Sequence, residues 1–210
     1  MEGPGSSRVD PSFFLDRVKR ELRMEPERAA EVLRFLRLAG RLKETARAGW
    51  GLRGIGDPES VADHSFRVAL LALVLSRGAD PPLDRERCLA MALAHDLAES
   101  LVGDITPYDG VSTDEKHRRE RGAMERLAAM LGDDEVLRLW EEYQAAETAE
   151  ARFVKDLDKL ETVLQAAEYE EARGVELAEF REMGERRPWL PATRPVYQAL
   201  RGETEDPPAG

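Results

Sequence analysis

The sequence predicts an all-α fold, a compact helical bundle. Three observations carry that expectation. Apolar residues recur at helical spacing along nearly the whole chain. Ser, Thr or Asp stands just ahead of several of these stretches, where a helix needs an N-cap. Strand-like alternation is almost absent.

The elements follow in chain order. "ERAAEVLRFLRLAG" places Val32, Leu33, Leu36 and Ala39 on one face, with Gly40 as its stop. "SVADHSFRVALLALVLSRG" starts from Ser60 as N-cap and runs Val61, His64, Val68, Leu71 and Leu75 down one stripe. "DRERCLAMALAHDLAESLVG" reads as one helix from Asp84 to Gly103. "STDEKHRRERGAMERLAAMLG" opens with the capping-box pair Ser112 and Glu115. "TAEARFVKDLDKLETVLQAAEYEEARG" reads as one long helix begun near Thr148, with Phe153, Leu157, Leu160 and Leu164 as its apolar stripe. No internal repeat or dividing linker interrupts the series. Residues 1–10 and 202–210 are rich in Gly, Ser, Pro or acid and read as disordered tails. The expected organisation is a single domain over residues 11–201.

Composition narrows the function. A chain of 210 residues with 42% hydrophobic content can bury one sizeable core. Its net charge of −11 argues against a nucleic-acid polymer or an anionic membrane as partner. A small anionic substrate in a locally basic pocket stays compatible with it. The single cysteine, Cys88, cannot form an intramolecular disulfide, and its setting "RCLAMAL" reads as a buried thiol. No apolar run approaches the roughly 20 residues that span a bilayer, and "MEGPGSSRVD" lacks the apolar core of a signal peptide. The cytoplasm or another reducing intracellular compartment is therefore the expected location.

The stretch "MALAHDLAES" carries the chemistry. Three titratable groups, His95, Asp96 and Glu99, stand in an otherwise small, apolar run. Burying a carboxylate costs several kcal/mol, roughly, unless it is paired or metal-bound. In one helix His95 and Glu99 would share a face, with Asp96 about 100° round. His64, on the apolar stripe of the preceding helix, can face them. A further ligand from the last long helix would be Asp156 or Asp158, and periodicity alone does not choose. Imidazole with carboxylate suits Mn, Fe, Co or Zn, and octahedral Mn or Co leaves room for water. The third histidine, His117, lies in the charged run "DEKHRRERG", which reads as a solvated helix face. Lys116, Arg118 and Arg119 are the cations of that run that can draw in phosphate.

The order His64, then "HD" at His95–Asp96, then Asp158 resembles the HD-domain metal-dependent phosphohydrolases. "ARAGWGLRGIGDPESVADHS", "AHDLAESLVGDITP", "EKHRRERGAM" and "WEEYQAAETAEARFVKDLDKLETVLQAAEYE" are similar to the HD domain-containing protein 2 branch, which is related to bacterial 5'-deoxynucleotidases. The resemblance implies His64, His95, Asp96 and Asp158 as metal ligands, which selects Asp158 over Asp156. It implies a second, weaker metal, Mg among the candidates, at Glu99, Asp104 and the Ile105 carbonyl. Arg47 and Trp50 resemble a pair that contacts phosphate and sugar, although two residues separate them here and none does in the bacterial relatives. The loop "GDITP", with Asp104, Ile105, Thr106 and Pro107, matches a nucleotide-contacting loop.

The expected reaction is metal-dependent hydrolysis of a deoxyribonucleoside 5'-monophosphate to nucleoside and phosphate. Asp96 serves it as ligand and catalytic group, Arg47 neutralises the phosphoryl charge, and Glu99 shuttles a proton to the leaving 5' oxygen. Trp50 reads the absence of the 2'-hydroxyl. Substrate contacts are expected also at the ligands His64, Asp96 and Asp158. Relatives imply a homodimer. The rival expectations are a different nucleotide substrate on the same site (cyclic nucleotide, dNTP or guanosine tetraphosphate) and a metal-stabilised nucleotide-binding module without turnover.

Overall fold

A computed structural model describes residues 24–202. The two expected tails, apart from Gly202, lie outside the described residues. The described residues form ten α-helices: α1 (Pro26–Ala39), α2 (Ala48–Gly51), α3 (Val61–Leu75), α4 (Arg85–Ala94), α5 (Glu99–Val102), α6 (Thr113–Leu131), α7 (Glu135–Ala145), α8 (Ala149–Arg173), α9 (Ala178–Arg186) and α10 (Arg194–Leu200). A 3₁₀ turn, Gly40–Lys43, continues α1. Among the described residues the only β-pairing is an isolated bridge between Ala46 and Ser60. The all-α expectation holds.

Helix starts follow the expected chemistry. The side chains of Ser60, Asp84, Ser112 and Thr148 each accept from a backbone N–H three residues on. The reciprocal capping box forms at Ser60, where Asp63 returns the bond. At Ser112 only the first half forms, because the Glu115 carboxylate is drawn to Arg118 and Arg119 one turn on. Gly174 ends α8 in the left-handed conformation, as a C-cap glycine should.

α8 is the spine. It packs against α3, α4, α7 and α9. Val68, Ala72, Met91, Phe153 and Leu157 form the centre of one cluster, which also encloses Cys88. A second cluster joins Leu42, Val61, Leu97, Met124, Leu127 and Trp140 across α3, α6 and α7. α1 lies against it with Phe35, Leu38 and Ala39. Leu33 and Leu36, expected to face inward, point to solvent instead. Both faces of α1 carry apolar side chains, so the pattern alone does not mark the one that meets α6.

The largest departure lies between α4 and α5. The expected single helix from Asp84 to Gly103 breaks at His95–Ala98, where Leu97, Glu99, Ser100 and Leu101 each donate to the carbonyl three residues back. The local winding is therefore about three residues per turn rather than 3.6. Asp96 and Glu99 now come into line, and the expected shared face of His95 and Glu99 is lost.

Candidate metal centre and active site

Two histidines meet at the centre of the bundle. His64 enters from α3 and His95 from the overwound turn, both buried, with their Nε2 atoms 3.4 Å apart. The opposite nitrogens fix the tautomers. His95 Nδ1 lies 2.7 Å from the Ala92 carbonyl oxygen, which can only accept, so this nitrogen carries hydrogen. His64 Nδ1 faces the Glu161 carboxylate and carries hydrogen for the same reason. In their neutral forms, two imidazoles held this way present two lone pairs to one point.

Two carboxylates aim at the same point. Asp96 Oδ2 lies 3.2 Å from His95 Nε2 and 3.8 Å from His64 Nε2. Asp158 Oδ1 lies 3.4 Å from His64 Nε2. Four electron-rich atoms converging without a cation would repel one another. Bonds of about 2.0–2.2 Å to a shared divalent ion put ligand atoms roughly 3–3.6 Å apart; the separations of 3.2 Å and 3.4 Å fall in that range, and the 3.8 Å from Asp96 to His64 is slightly wider. His64, His95 and Asp158 lie close enough together to hold an ion, and Asp96 stands beside the two histidines. The donor set fits a transition metal of the Mn, Fe, Co or Zn class.

Charge is tuned throughout. Burial and Arg47 press the His64 pKa down, but hydrogen bonds to Asp158 and Glu161 outweigh them and raise it to about 9. Burial would raise Asp96, but His95, Arg47 and His64 hold it below the usual carboxylate range. Burial likewise opposes ionisation of Asp158, and Lys159, His64 and His95 overcome it. Glu99 goes the other way: burial, then Asp96 and Asp104, push it well above the ordinary value. Its Oε2 is buried without a hydrogen-bond partner. Arg47 Nη1 reaches Asp96 Oδ2 at 3.2 Å. Its position follows from the Ala46–Ser60 bridge, in which Arg47 N donates to the Glu59 carbonyl beside the start of α3.

The other singled-out residues have definite places. Asp104 accepts from Ala48 N at 2.8 Å and so tethers the loop to α2. The Ile105 carbonyl accepts from Lys116 Nζ at 2.7 Å. Thr106 donates through N and Oγ1 to Asp109, and Pro107 is exposed beside it. Trp50 is 2% exposed; its Nε1–H donates to Glu59 and its ring packs on Tyr169 and Phe180. His117 is exposed, as expected, though one face stacks on Trp140. Arg118 and Arg119 are engaged by Glu115. Asp156 is buried but turned away, taken by Arg187, Leu190 N and Thr193.

A cavity of about 490 Å³ opens over the cluster, lined by His95, Asp96, Glu99, Arg47, Trp50, the Asp104–Tyr108 loop and the cations Arg53, Lys116, Lys155 and Lys159. That volume falls within the range of roughly 300–1,000 Å³ usual for small-ligand sites. Two contributors escaped the sequence reading. Tyr143 donates its hydroxyl to Asp158 Oδ2 at 2.9 Å. Glu161 holds His64 and stands three residues after Asp158, a helical spacing that puts both on one face of α8.

Comparison with known proteins agrees with this geometry. The family model described as "HD domain" matches residues 39–187. The chain is 50% identical over 146 residues to the 5'-deoxynucleotidase HDDC2 of Bos taurus, covering 68% of this chain and 70% of that one. It is 44% identical over 154 residues to the 5'-deoxynucleotidase hdd1 of Schizosaccharomyces pombe, covering 70% and 76%. Among solved structures, a Pyrococcus horikoshii protein superposes with a TM-score of 0.70 at 33% identity, covering 81% of this chain and 97% of the other. A predicted metal-dependent phosphohydrolase from Magnetospirillum magnetotacticum gives 0.62 at 30% identity, covering 84% and 93%. With its histidines, HD dipeptide and distal aspartate gathered at one point, the chain belongs to the HD domain family.

Proposed function

We propose that this protein is a metal-dependent phosphohydrolase that cleaves deoxyribonucleoside 5'-monophosphates to deoxynucleoside and phosphate. The observation that carries the reading is the convergence of His64, His95, Asp96 and Asp158 beneath a nucleotide-sized cavity. The activity by which the relatives are named supplies the substrate class. Those four residues would hold a divalent ion of the Mn or Co type, which would supply an acidified water near neutral pH.

The rest is done by side chains. Arg47 binds the phosphoryl group as a planar fork while Asp96 keeps it oriented. Glu99, whose raised pKa favours the protonated form, donates to the leaving 5' oxygen, directly or through water. A second cation, Mg among the candidates, at Glu99, Asp104 and Ile105 would have to displace Lys116 from the Ile105 carbonyl. Thr106 and Pro107 shape the wall that meets the nucleotide. Trp50, anchored by Glu59, closes the cavity beside the sugar. His64 and Asp158 reach substrate through the ion they share.

The remaining parts of the reading concern the whole molecule. One domain is proposed over residues 11–201, of which 11–23 lie outside the described residues. A homodimer is supported by a second apolar stripe on α3, Phe66, Leu70, Leu73 and Val74, which stays exposed. A reducing compartment suits the buried thiol of Cys88. No helix among the described residues is long and apolar enough to cross a membrane. The acidic net charge disfavours nucleic-acid polymers as partners.

A phosphate-release screen tests the reaction. It runs deoxynucleoside and ribonucleoside monophosphates, cyclic nucleotides, dNTPs and guanosine tetraphosphate with added Mn or Co. Release from dAMP well above AMP is expected, narrowing in Trp50→Phe. Turnover of only another class, or none with metal bound, overturns the reading.

A further inference from the structure

We infer that Glu161, clamped by Arg67, is the positioning residue of the metal centre: it holds the His64 proton on Nδ1 and leaves Nε2 as a lone pair aimed at the ion. The inference rests on the metal-centre reading above and assigns a role to a residue outside the four ligands.

The geometry is a bracket. Asp158 and Glu161 stand three residues apart on one face of α8, and the His64 ring lies between them. Asp158 meets its Nε2 side at 3.4 Å and Glu161 its Nδ1 side. Glu161 is 0% exposed, so no water competes for its oxygens. A buried carboxylate could itself bind metal or take up a proton. Arg67 restrains one of its two oxygens. Its Nε donates to Glu161 Oε1 at 2.9 Å, while its other nitrogens are gripped by Glu168 at 2.7 Å and Gln165 at 2.5 Å. Oε1 is thus held by Arg67, while Oε2 faces His64 Nδ1.

The contrast with His95 sharpens the assignment. His95 Nδ1 donates to a neutral backbone carbonyl, that of Ala92. His64 donates to a full negative charge, which raises the basicity of its far nitrogen and strengthens it as a ligand. The two histidines thus have unequal support, and the loss of Glu161 falls on His64 alone.

The test measures Mn²⁺ affinity by calorimetry in wild type, Glu161→Gln and Asp156→Asn, with the folded state of each metal-free protein checked by circular dichroism. Gln keeps the shape and one acceptor oxygen but loses the charge. A weakening of about 10–100-fold is expected in Glu161→Gln, with affinity unchanged in Asp156→Asn, a buried-carboxylate control on the same helix. Equal affinity in wild type and Glu161→Gln overturns the inference and leaves the metal centre standing. Absence of Mn²⁺ binding by the wild type overturns both. Should Glu161→Gln not fold, the ¹⁵N-histidine spectrum of the Zn²⁺-loaded wild type decides. A proton on His64 Nδ1 supports the inference, and a proton on Nε2 with Nδ1 bare overturns it.

Discussion

Asp156 and Asp158 stand two residues apart on α8, both buried, and their surroundings are opposite. Asp156 is surrounded by donors: Arg187 Nε at 2.6 Å, Leu190 N at 3.1 Å and the Thr193 hydroxyl. Every lone pair it needs to satisfy finds hydrogen, so it pins the segment before α10 to the spine. Asp158 receives the Tyr143 hydroxyl and Lys159 on one oxygen, while its other oxygen faces His64 Nε2 in the company of His95 and Asp96. A buried carboxylate saturated by donors is structural. One whose open side meets other lone pairs is suited to a cation. The same residue type, two residues apart on one helix, separates architecture from chemistry.

The largest break in this comparison is a pair of isosteric changes. Asp158→Asn should lower Mn²⁺ affinity by more than about 100-fold, since it removes a ligand where even a supporting contact is worth 10–100-fold, and phosphate release should fall with it. Asp156→Asn should keep metal and turnover but cost about 1–3 kcal/mol of stability, through weakened bonds to Arg187 and Thr193. Calorimetric titration beside denaturant melts checks both; equal metal content in wild type and Asp158→Asn would remove Asp158 from the site.

Chelation sharpens the contrast next. An ion bound only by the folded state at a hundredfold excess over Kd adds about 2.7 kcal/mol, or roughly 5–10 °C in Tm for a chain of this size. Chelator should produce that drop in wild type and in Asp156→Asn, and almost none in Asp158→Asn. Thermal melts with and without Mn²⁺ read it directly.

The pH dependence is smaller and has a definite sign. His64 is raised to about 9 in the metal-free protein, against an unfolded value of about 6.5. The stabilisation from its protonation is therefore fully present below about pH 6.5 and is lost as pH rises toward 9. Metal must displace that proton, so apparent Mn²⁺ affinity should climb by up to tenfold per pH unit across this window and level off above it. An affinity flat from pH 6.5 to 9 contradicts the pairing of His64 with Asp158 and Glu161.

The smallest effect concerns the hydroxyl donors of the two aspartates. Thr193→Val should cost about 1 kcal/mol of stability with no change in metal affinity, whereas Tyr143→Phe should shift metal affinity severalfold. The reverse assignment, with Thr193 altering metal binding, would dissolve the distinction between the two carboxylates.

Much of this was legible in the sequence, and the limits have physical causes. The N-caps Ser60, Asp84, Ser112 and Thr148 declared themselves because a capping side chain acts on its own backbone, within three residues. The inward stripe of α3 was readable for the same local reason. The choice between Asp156 and Asp158 was not, because the donors that claim Asp156 arrive from 31 to 37 residues downstream. It needed the resemblance. The outward turn of Leu33 and Leu36 depends on where α6 lies, which no local pattern encodes. The overwound turn at His95–Ala98 was hidden because an α-helix and a 3₁₀ turn share residue preferences and differ only in which carbonyl is chosen.

The pinning of Asp156 has a consequence for synthesis. As the chain leaves the ribosome, α8 emerges before residues 187–193 exist outside the tunnel. Asp156 must wait, solvated, for donors not yet made, and a carboxylate that still needs water keeps that stretch of α8 from closing against its neighbours. The pinning of Asp156 is thus completed only by one of the last parts of the described fold to be made.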